Sequence, residues 1–420
     1  MEKYIKDPIY GNIKVESKLI DNPYFQRLKH IIQNGMAYMI FPSMRHTRFE
    51  HSLGTYYIAS KMIDRIEGNI DSDFKEIIKK LALYHDIGHF PFSHTFEFAL
   101  DVLKYLNDDK YKEIIGLTEY KGQLHKFHEM MGIKILKDGL GEKEVADLME
   151  NVYTSSNPLD DKIKIAKLIV NSDLDADRLD YLQRDSYYSG AKFGIIDPER
   201  IIITMTITPK GYIFPPKAID DLEHFFLARF HMYSSVYNHP VIEIYNRVMS
   251  YFIAFAIHKG LLKIPSNLEE IKTFTDEQVF LALINAKNDN ELSHFYFSLV
   301  ERRKYKRAVL QGSEARTLHK YLTEDEDAKE FYEYILGYKG KVVIGSTELK
   351  TSIDNIQIKE KLGKYEYLNN LKEESSVVKP PERFRVHIGV YDDNVAKEIS
   401  EYFSKNFSIT LDFRNLESNP

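Results

Sequence analysis

The chain has 420 residues, 43 % of them hydrophobic, a formal net charge of −6, and neither cysteine nor tryptophan. That length and apolar content suffice for two or three domains with a core in each. The absence of cysteine excludes disulfides, thiolate nucleophiles and Cys-ligated zinc or iron–sulfur centres, so any metal must be held by His, carboxylate and water.

The acidic balance argues against nucleic acid as the main partner. The longest apolar stretch, near Met249 to Leu262, is interrupted by Ser, His, Lys and Gly, so no membrane span is expected. The N-terminus lacks a charged head followed by an apolar core, and a cytoplasmic location is expected.

In chain order, residues 1–12 read as extended, ending in the turn-like Asp7-Pro8-Ile9-Tyr10-Gly11. Asn22-Pro23 predicts a capped helix reaching about Gln33. A second helix starts near Thr47 and turns Phe49, Leu53, Tyr57 and Ile58 inward, with Arg48 and His51 sharing a face. A third spans about Phe74 to Gly88. After Pro91 another carries His94 and Glu97 at i and i+3.

A polar insertion at 107–112 precedes an amphipathic helix opened by residues 123–129, and Ile163 to Asp185 reads as one long helix. Residues 201–214 alternate around Pro209-Lys210-Gly211 like a hairpin. A helical pattern returns at Ala218 and breaks at His239-Pro240. Beyond about 265 the chain is helical and charge-rich to about 335, then β-prone at 341–344. The Pro380-Pro381 linker and a β-α-β tail over 383–390, 394–407 and 409–413 follow.

The expected fold class is mainly α: a helical core with a small β-hairpin insertion and an α+β C-terminal region. The expected divisions are residues 1–260, 261–340 and 341–420.

Chemistry concentrates at His85-Asp86-Ile87-Gly88-His89 and the following Pro91-Phe-Ser-His94, with Glu97. His51 upstream and Asp177 downstream complete two imidazoles and two carboxylates from three helices, a mixed N/O set suited to Fe, Mn, Zn, Ni or Mg. In isolation, a helix-terminal histidine and a solvated acidic face account for these residues as well. The acidic residues Asp173, Asp177 and Asp180 fit a solvated face less well, because they alternate with Leu174, Leu179 and Leu182. Stacked carboxylates repel unless a cation or a basic partner such as Arg178 or Arg184 offsets them.

The set His51, His85-Asp86, Asp177 resembles the H...HD...D signature of the HD-domain metal-dependent phosphohydrolases. The flanking words Asp7-Pro-Ile-Tyr-Gly11, Phe25-Gln-Arg-Leu28, Phe41-Pro-Ser, Arg48-Phe-Glu-His-Ser-Leu-Gly54, His85-Asp-Ile-Gly-His89, Pro91-Phe-Ser-His94 and Asp177-Arg-Leu-Asp-Tyr181 resemble its deoxynucleoside triphosphate triphosphohydrolase branch. The resemblance covers about residues 1–250, in order.

It implies metal ligation by His51, His85, Asp86 and Asp177, with Asp86 also facing a second, phosphate-bound Mg or Mn. His89, His94, Glu97 and His128 would surround the phosphates, His94 acting as general acid for the nucleoside 5′-oxygen and Glu97 orienting it. Arg48, Arg178 and Arg229 would grip phosphate oxygens. Tyr181, Asp185, Gln33 and Tyr237 would read the deoxyribose, Tyr237 excluding a 2′-hydroxyl. Asn34 stands where the animal sterile-alpha-motif enzyme has Leu, which bears on sugar selectivity. The implied reaction yields a deoxynucleoside and inorganic triphosphate, by attack of metal-activated water at the α-phosphorus.

The family also implies a dNTP or GTP effector read by Asp21, Gln26 and Lys29, and a homo-oligomer, dimer or tetramer. Asp21 and Lys29 are equally explained by a capping turn and a solvated helix face. The basic run at 302–307 reads as an effector or single-strand contact, or as a solvated helix face. Two other functional readings stand beside the dNTPase. One is an HD-type nucleotidase or phosphodiesterase; the other is a nucleotide- or nucleic-acid-binding regulator with a vestigial metal site.

Overall fold

The computed structural model describes residues 1–122, 126–154, 160–303, 305–324, 328–349, 355–359, 364–370 and 383–415. Residues 123–125, Lys304, the acidic run 325–327 and the Pro380-Pro381 linker lie outside these.

The chain opens on an antiparallel hairpin, β1 (Glu2–Asp7) and β2 (Gly11–Glu16), whose second strand the sequence did not announce. Asp7 Oδ1 accepts the N–H groups of Ile9 and Tyr10 at 2.8 and 3.0 Å, which closes the turn. Asn22 caps a helix, as expected, by accepting the N–H of Phe25 at 2.9 Å. That helix spans only Pro23–Gln26 and passes into a 3₁₀ turn rather than reaching Gln33. Residues 31–33 are drawn instead into extended contact with residues 46–48 through Gln33 N–H to His46 and Arg48 N–H to Ile31.

The helical body follows. The members that frame the site are α1 (Arg48–Ile63), α2 (Ser72–Tyr84), α3 (His94–Leu106), α4 (Phe127–Lys134), α5 (Lys143–Tyr153), α6 (Asp161–Val170) and α7 (Ala176–Ser189). Thr47 and Glu50 form the capping box that starts α1. α2 ends at Tyr84, ahead of a tight loop at 85–93, and not at Gly88. The helix expected over 163–185 is two. Asp175 accepts the N–H groups of Ser172 and Arg178, each at 2.8 Å, so its side chain caps α7 and breaks the run.

A short helix, Pro198–Thr204, capped by Asp197, occupies the first part of the expected hairpin and leaves β3 (Thr206–Thr208) and β4 (Gly211–Phe214). Then come α8 (Ile219–Met232), a π turn at Tyr233–Tyr237, and α9 (Pro240–His258), broken at His239-Pro240 as the sequence predicts. α9 is buried over most of its length. It packs on α3 at one side and on a C-terminal sheet at the other.

The C-terminal half supplies α10 (Asp276–Asn285), β5 (Lys306–Gln311), α11 (Gly312–Glu324), α12 (Ala328–Gly337), β6 (Val342–Leu349), β7 (Ile356–Lys359), β8 (Tyr365–Tyr367), β9 (Arg383–Val390), α13 (Asp393–Phe407) and β10 (Arg414–Asn415). One sheet has the order β10-β5-β9-β6, all antiparallel. Another extends the inserted hairpin as β3-β4-β7-β8, with β4 and β7 parallel.

β5 falls inside the stretch read as helical, so the basic run at 302–307 leads into a strand and is not a helix face. Residues 409–413 are irregular, and among the described residues beyond them β10 pairs with β5. The fold is mainly α, with a small hairpin insertion and an α+β C-terminal region. No helix among the described residues is long and apolar enough to cross a membrane.

Candidate active site

α1 brings His51, the loop after α2 brings His85 and Asp86, and α7 brings Asp177 to one point. His51 Nε2 lies 3.0 Å from Asp177 Oδ1 and 3.5 Å from Asp86 Oδ2; His85 Nε2 lies 3.3 Å from Asp86 Oδ2 and 3.8 Å from Asp177 Oδ1. The other nitrogen of each ring is committed. His51 Nδ1 donates to Asp180 Oδ2 at 2.8 Å, and His85 Nδ1 to the Ala82 carbonyl at 2.9 Å.

Those bonds select the tautomers that leave each Nε2 with a lone pair facing the centre. Among the described residues neither Nε2 atom, both of them buried, has an aligned hydrogen-bond partner. His51, His85 and Asp177 offer ligand atoms close enough together to hold a divalent cation, and Asp86 Oδ2 borders both Nε2 atoms. Burial opposes charge on His51, yet Asp177 and Asp180 outweigh it and push its pKa up to about 10. His51 in return holds Asp177 at about 2 against burial. A cation held here would offset the same carboxylate charge.

A buried chain supports this centre. Asp180 accepts from Arg184 Nε and Nη2, both at 2.9 Å, and Arg184 Nη1 reaches Asp7 Oδ2 at 2.8 Å. Gly54 makes room for it, since a Cβ there would stand 1.9 Å from Asp180 Oδ1. Arg48 donates to Asp86 Oδ2, to Ser93 Oγ at 2.9 Å and to the Gln33 carbonyl at 3.3 Å. Burial would raise the Asp86 pKa, but Arg48 and the neighbouring histidines hold it well below the usual carboxylate range.

A second cluster, His89, His94 and His128, faces the first. Glu97 binds two of its rings at once: Oε2 accepts from His94 Nδ1 and Oε1 from His128 Nδ1, each at 2.7 Å. Burial resists charge on His128, and the Glu97 carboxylate overcomes it, raising the ring above its ordinary pKa. His89 is stacked on His128 at 4.0 Å between ring centres; burial, then Arg48 and His128, drive its pKa far down and keep it neutral. Gly88 lets α4 approach this loop, because a Cβ would lie 2.0 Å from the His128 carbonyl oxygen.

Asp185 forms a third group. It accepts from His46 Nε2 and Asn34 Nδ2 through Oδ1, and from the Tyr237 hydroxyl through Oδ2, all at 2.7 Å. Tyr181 meets the Tyr237 ring edge-on at 6.0 Å. Nearby, Arg178 pairs with Asp175, and Arg229 Nη1 stands 3.5 Å from Asp173. Among the described residues Arg178 Nε and Arg229 Nε are buried without a hydrogen-bond partner, and Arg178, which lines the cavity, has a donor left for an anion.

These groups share a cavity of about 430 Å³, within the range for a small-molecule ligand. Gln33, Arg48, His85, Asp86, His89, His94, His128, Asp177, Arg178, Tyr181, Asp185 and Tyr237 line it. His51, Glu97 and Arg229 stand behind its wall. Asp21, Gln26 and Lys29 lie elsewhere, on one surface turn: Lys29 donates to Gln26 at 2.7 Å, Gln26 to the Ile20 carbonyl at 2.8 Å, and Asp21 pairs with Lys3.

Sequence reasoning gave no role to Asp7, His46, Ser93 or Asp276; it marked Asn34 only for sugar selectivity and Asp180 only as one of the stacked acids that Arg184 could offset, as it does. Asp180 and Asp7 sit inside motif words, so their spacing was a usable signal. His46 and Asp276 had none.

The helical architecture and this His/Asp donor set are those of the HD class. The HD domain description matches residues 48–185, and the HD associated region description matches residues 196–415. The chain belongs to this HD-domain phosphohydrolase family, in the branch that joins the two regions.

It is 33 % identical over 316 residues to an uncharacterized protein of Methanocaldococcus jannaschii, covering 71 % of this chain and 61 % of that one. It is 29 % identical over 342 residues to the deoxynucleoside triphosphate triphosphohydrolase SAMHD1 homolog of Dictyostelium discoideum, covering 77 % and 60 %. It thus spans about three fifths of the length of these curated relatives. The crystal structure of a hypothetical protein from Aquifex aeolicus superposes with a TM-score of 0.69 at 25 % identity, over 92 % of this chain and 96 % of that one.

Proposed function

We propose that the protein hydrolyses deoxynucleoside triphosphates at the α-phosphate, giving a deoxynucleoside and inorganic triphosphate. The observation that carries this reading is that one cavity is bounded by a His/Asp metal cradle, a Glu97-bound histidine pair, Arg178 with an unused donor, and an Asp185–Tyr237 clamp. The relationship to triphosphohydrolases supports it.

His51, His85, Asp86 and Asp177 would hold the metal. Bound there, a divalent cation such as Mn or Mg supplies activated water near neutral pH and offsets phosphate charge. His94, open to the cavity and tethered by Glu97, delivers a proton to the departing 5′-oxygen. Arg48, Arg178 and Arg229 stabilise the equatorial charge of the transition state, and neutral His89 with His128 donates to phosphate oxygens. Asp185 accepts the 3′-hydroxyl, while Tyr181 and the locked Tyr237 ring pack the sugar and leave no room for a 2′-hydroxyl. Gln33 adds a sugar contact.

Product chromatography over four dNTPs and four NTPs, with metals varied, tests the reading. Release of triphosphate is expected; monophosphate or pyrophosphate as the sole inorganic product sinks it. A nucleotidase or phosphodiesterase of the same class would show no dependence on the β- and γ-phosphates. A regulator with a vestigial site would bind without turnover, but every ligand position is filled. In the reading proposed, the enzyme is a cytoplasmic homo-oligomer. An effector at Asp21, Gln26 and Lys29 would reveal itself as a hydrolysis lag abolished by dGTP.

A further inference from the structure

The cavity continues past its arginines. Asn171 and Arg178 line it and also line a second cavity of about 430 Å³. This annex is walled by Lys164 and Lys167, which sit i and i+3 on α6 and so share a face, and by Lys210 at the turn of the β3–β4 hairpin. Lys164 pairs with Asp161 at 2.7 Å; among the described residues Lys167 and Lys210 have no ion-pair partner. Asp173, the acidic wall residue, faces Arg229. The annex is therefore cationic, and the unpartnered Arg178 Nε stands at the passage between the two cavities.

Its walls are held in place. Tyr212 on β4 is bonded through its hydroxyl to Ser172 Oγ at 2.7 Å and to the Leu174 carbonyl at 3.0 Å, which ties the α6–α7 turn to the hairpin. Asn171 Nδ2 donates to the Val152 carbonyl at 3.3 Å.

α7 sets the direction. Asp185, Tyr181 and Arg178 occupy successive turns toward its N-terminus, and seven residues of helix span about 10 Å. With the sugar at Asp185, a phosphate chain running along α7 toward its N-terminus approaches Arg178, which lines both cavities, and points into the annex.

We propose that the annex receives phosphate beyond the third, so that nucleoside 5′-tetraphosphates are substrates of the same centre. This rests on the triphosphohydrolase reading. In the step, the oxygen of water bonds to the α-phosphorus and the bond from that phosphorus to O5′ breaks. His94 protonates O5′ and recovers a proton from the attacking water. Deoxynucleoside and inorganic tetraphosphate leave.

The test uses full-length, Mn-loaded protein with dGTP and deoxyguanosine 5′-tetraphosphate side by side. The tetraphosphate is expected to be cleaved to inorganic tetraphosphate with a KM about 10-fold below that of dGTP, the effect of one or two added charge-assisted contacts. Lys167→Ala with Lys210→Ala should raise the tetraphosphate KM about 10-fold and leave dGTP turnover within about twofold, which also reports that the variant folds.

An uncleaved tetraphosphate, or a KM that ignores the lysines, overturns the proposal. If dGTP itself yields no triphosphate, the functional reading falls separately. Calorimetric binding of inorganic tetrapolyphosphate against tripolyphosphate then decides the annex: lysine-dependent preference for the longer chain sustains it as a phosphate site, and equal affinity removes it.

Discussion

The carboxylate of Asp276 receives the backbone N–H of Phe92 at 2.7 Å through Oδ1, and with Oδ2 it receives that of Ile32 at 2.9 Å. Phe92 and Ser93 are consecutive non-glycine residues at φ 59° and 57°, a left-handed pair that costs about 1–2 kcal/mol per residue. The helix carrying His94 begins directly after them. Asp276, at the head of α10, therefore holds the bend that aims the proposed proton donor.

Burial pushes the Asp276 carboxyl up to about 7 although two N–H groups favour its charged form. A raised folded-state pKa gives stability that is full below the unfolded value and is lost as pH rises through the folded one. Asp276→Asn cannot ionise and leaves one N–H short of an acceptor, costing about 1–3 kcal/mol. Its deficit against wild type should be largest in acid and narrow by about 2–3 kcal/mol from about pH 5 to about pH 8. Urea titrations across that range check the sign; a deficit that widens with pH contradicts it.

Glu97→Gln removes the carboxylate that favours protonated His94 and His128, and its single amide oxygen serves only one ring. kcat should fall about 10²- to 10⁴-fold. The alkaline limb of the pH–rate profile should move to lower pH, with KM little changed. An unshifted limb would remove Glu97 from the proton path.

Asp177→Ala deletes a proposed ligand at a half-buried position, so bound metal and turnover should both vanish while the fold persists. Asp180→Asn keeps the ligand set but weakens the bond that orients His51, which should cost about 10- to 100-fold in metal affinity. It also leaves buried Arg184 short of a negative partner, so melting temperature must be measured beside metal content. Full metal occupancy in Asp177→Ala would displace it from the centre.

Tyr237→Ala opens the floor beneath the sugar and frees Asp185 from one of its three donors. The ratio of NTP to dNTP turnover should rise about 10-fold or more, whereas Tyr237→Phe keeps the ring and should leave discrimination nearly intact. Equal ratios in the two variants would assign selectivity elsewhere.

Short-range chemistry is legible in the amino-acid order itself. The His85-Asp86 pair, the Thr47 start of α1, the Asn22 cap and the His239-Pro240 break are all set within a few residues. The motif glycines carry information of another kind, because Gly54 and Gly88 make room for backbone and side chains that are remote in sequence. Asp276 acts across 184 and 244 residues on groups that any carboxylate could serve, so nothing in its own neighbourhood marks it. The split of the 163–185 helix is hidden for a related reason: Asp175 looks like one acid among several until its two backbone partners are seen.

The parallel pairing of β4 with β7 sets Tyr212 against Ile356. During synthesis the hairpin edge waits for more than a hundred residues, including all of α8 to α12, before its neighbour emerges. An unfinished edge is a template for the wrong strand, and contacts of such separation close slowly. A nascent chain stalled after α9 would thus present an aggregation-prone border, and completion of this sheet depends on the last third of the translated message.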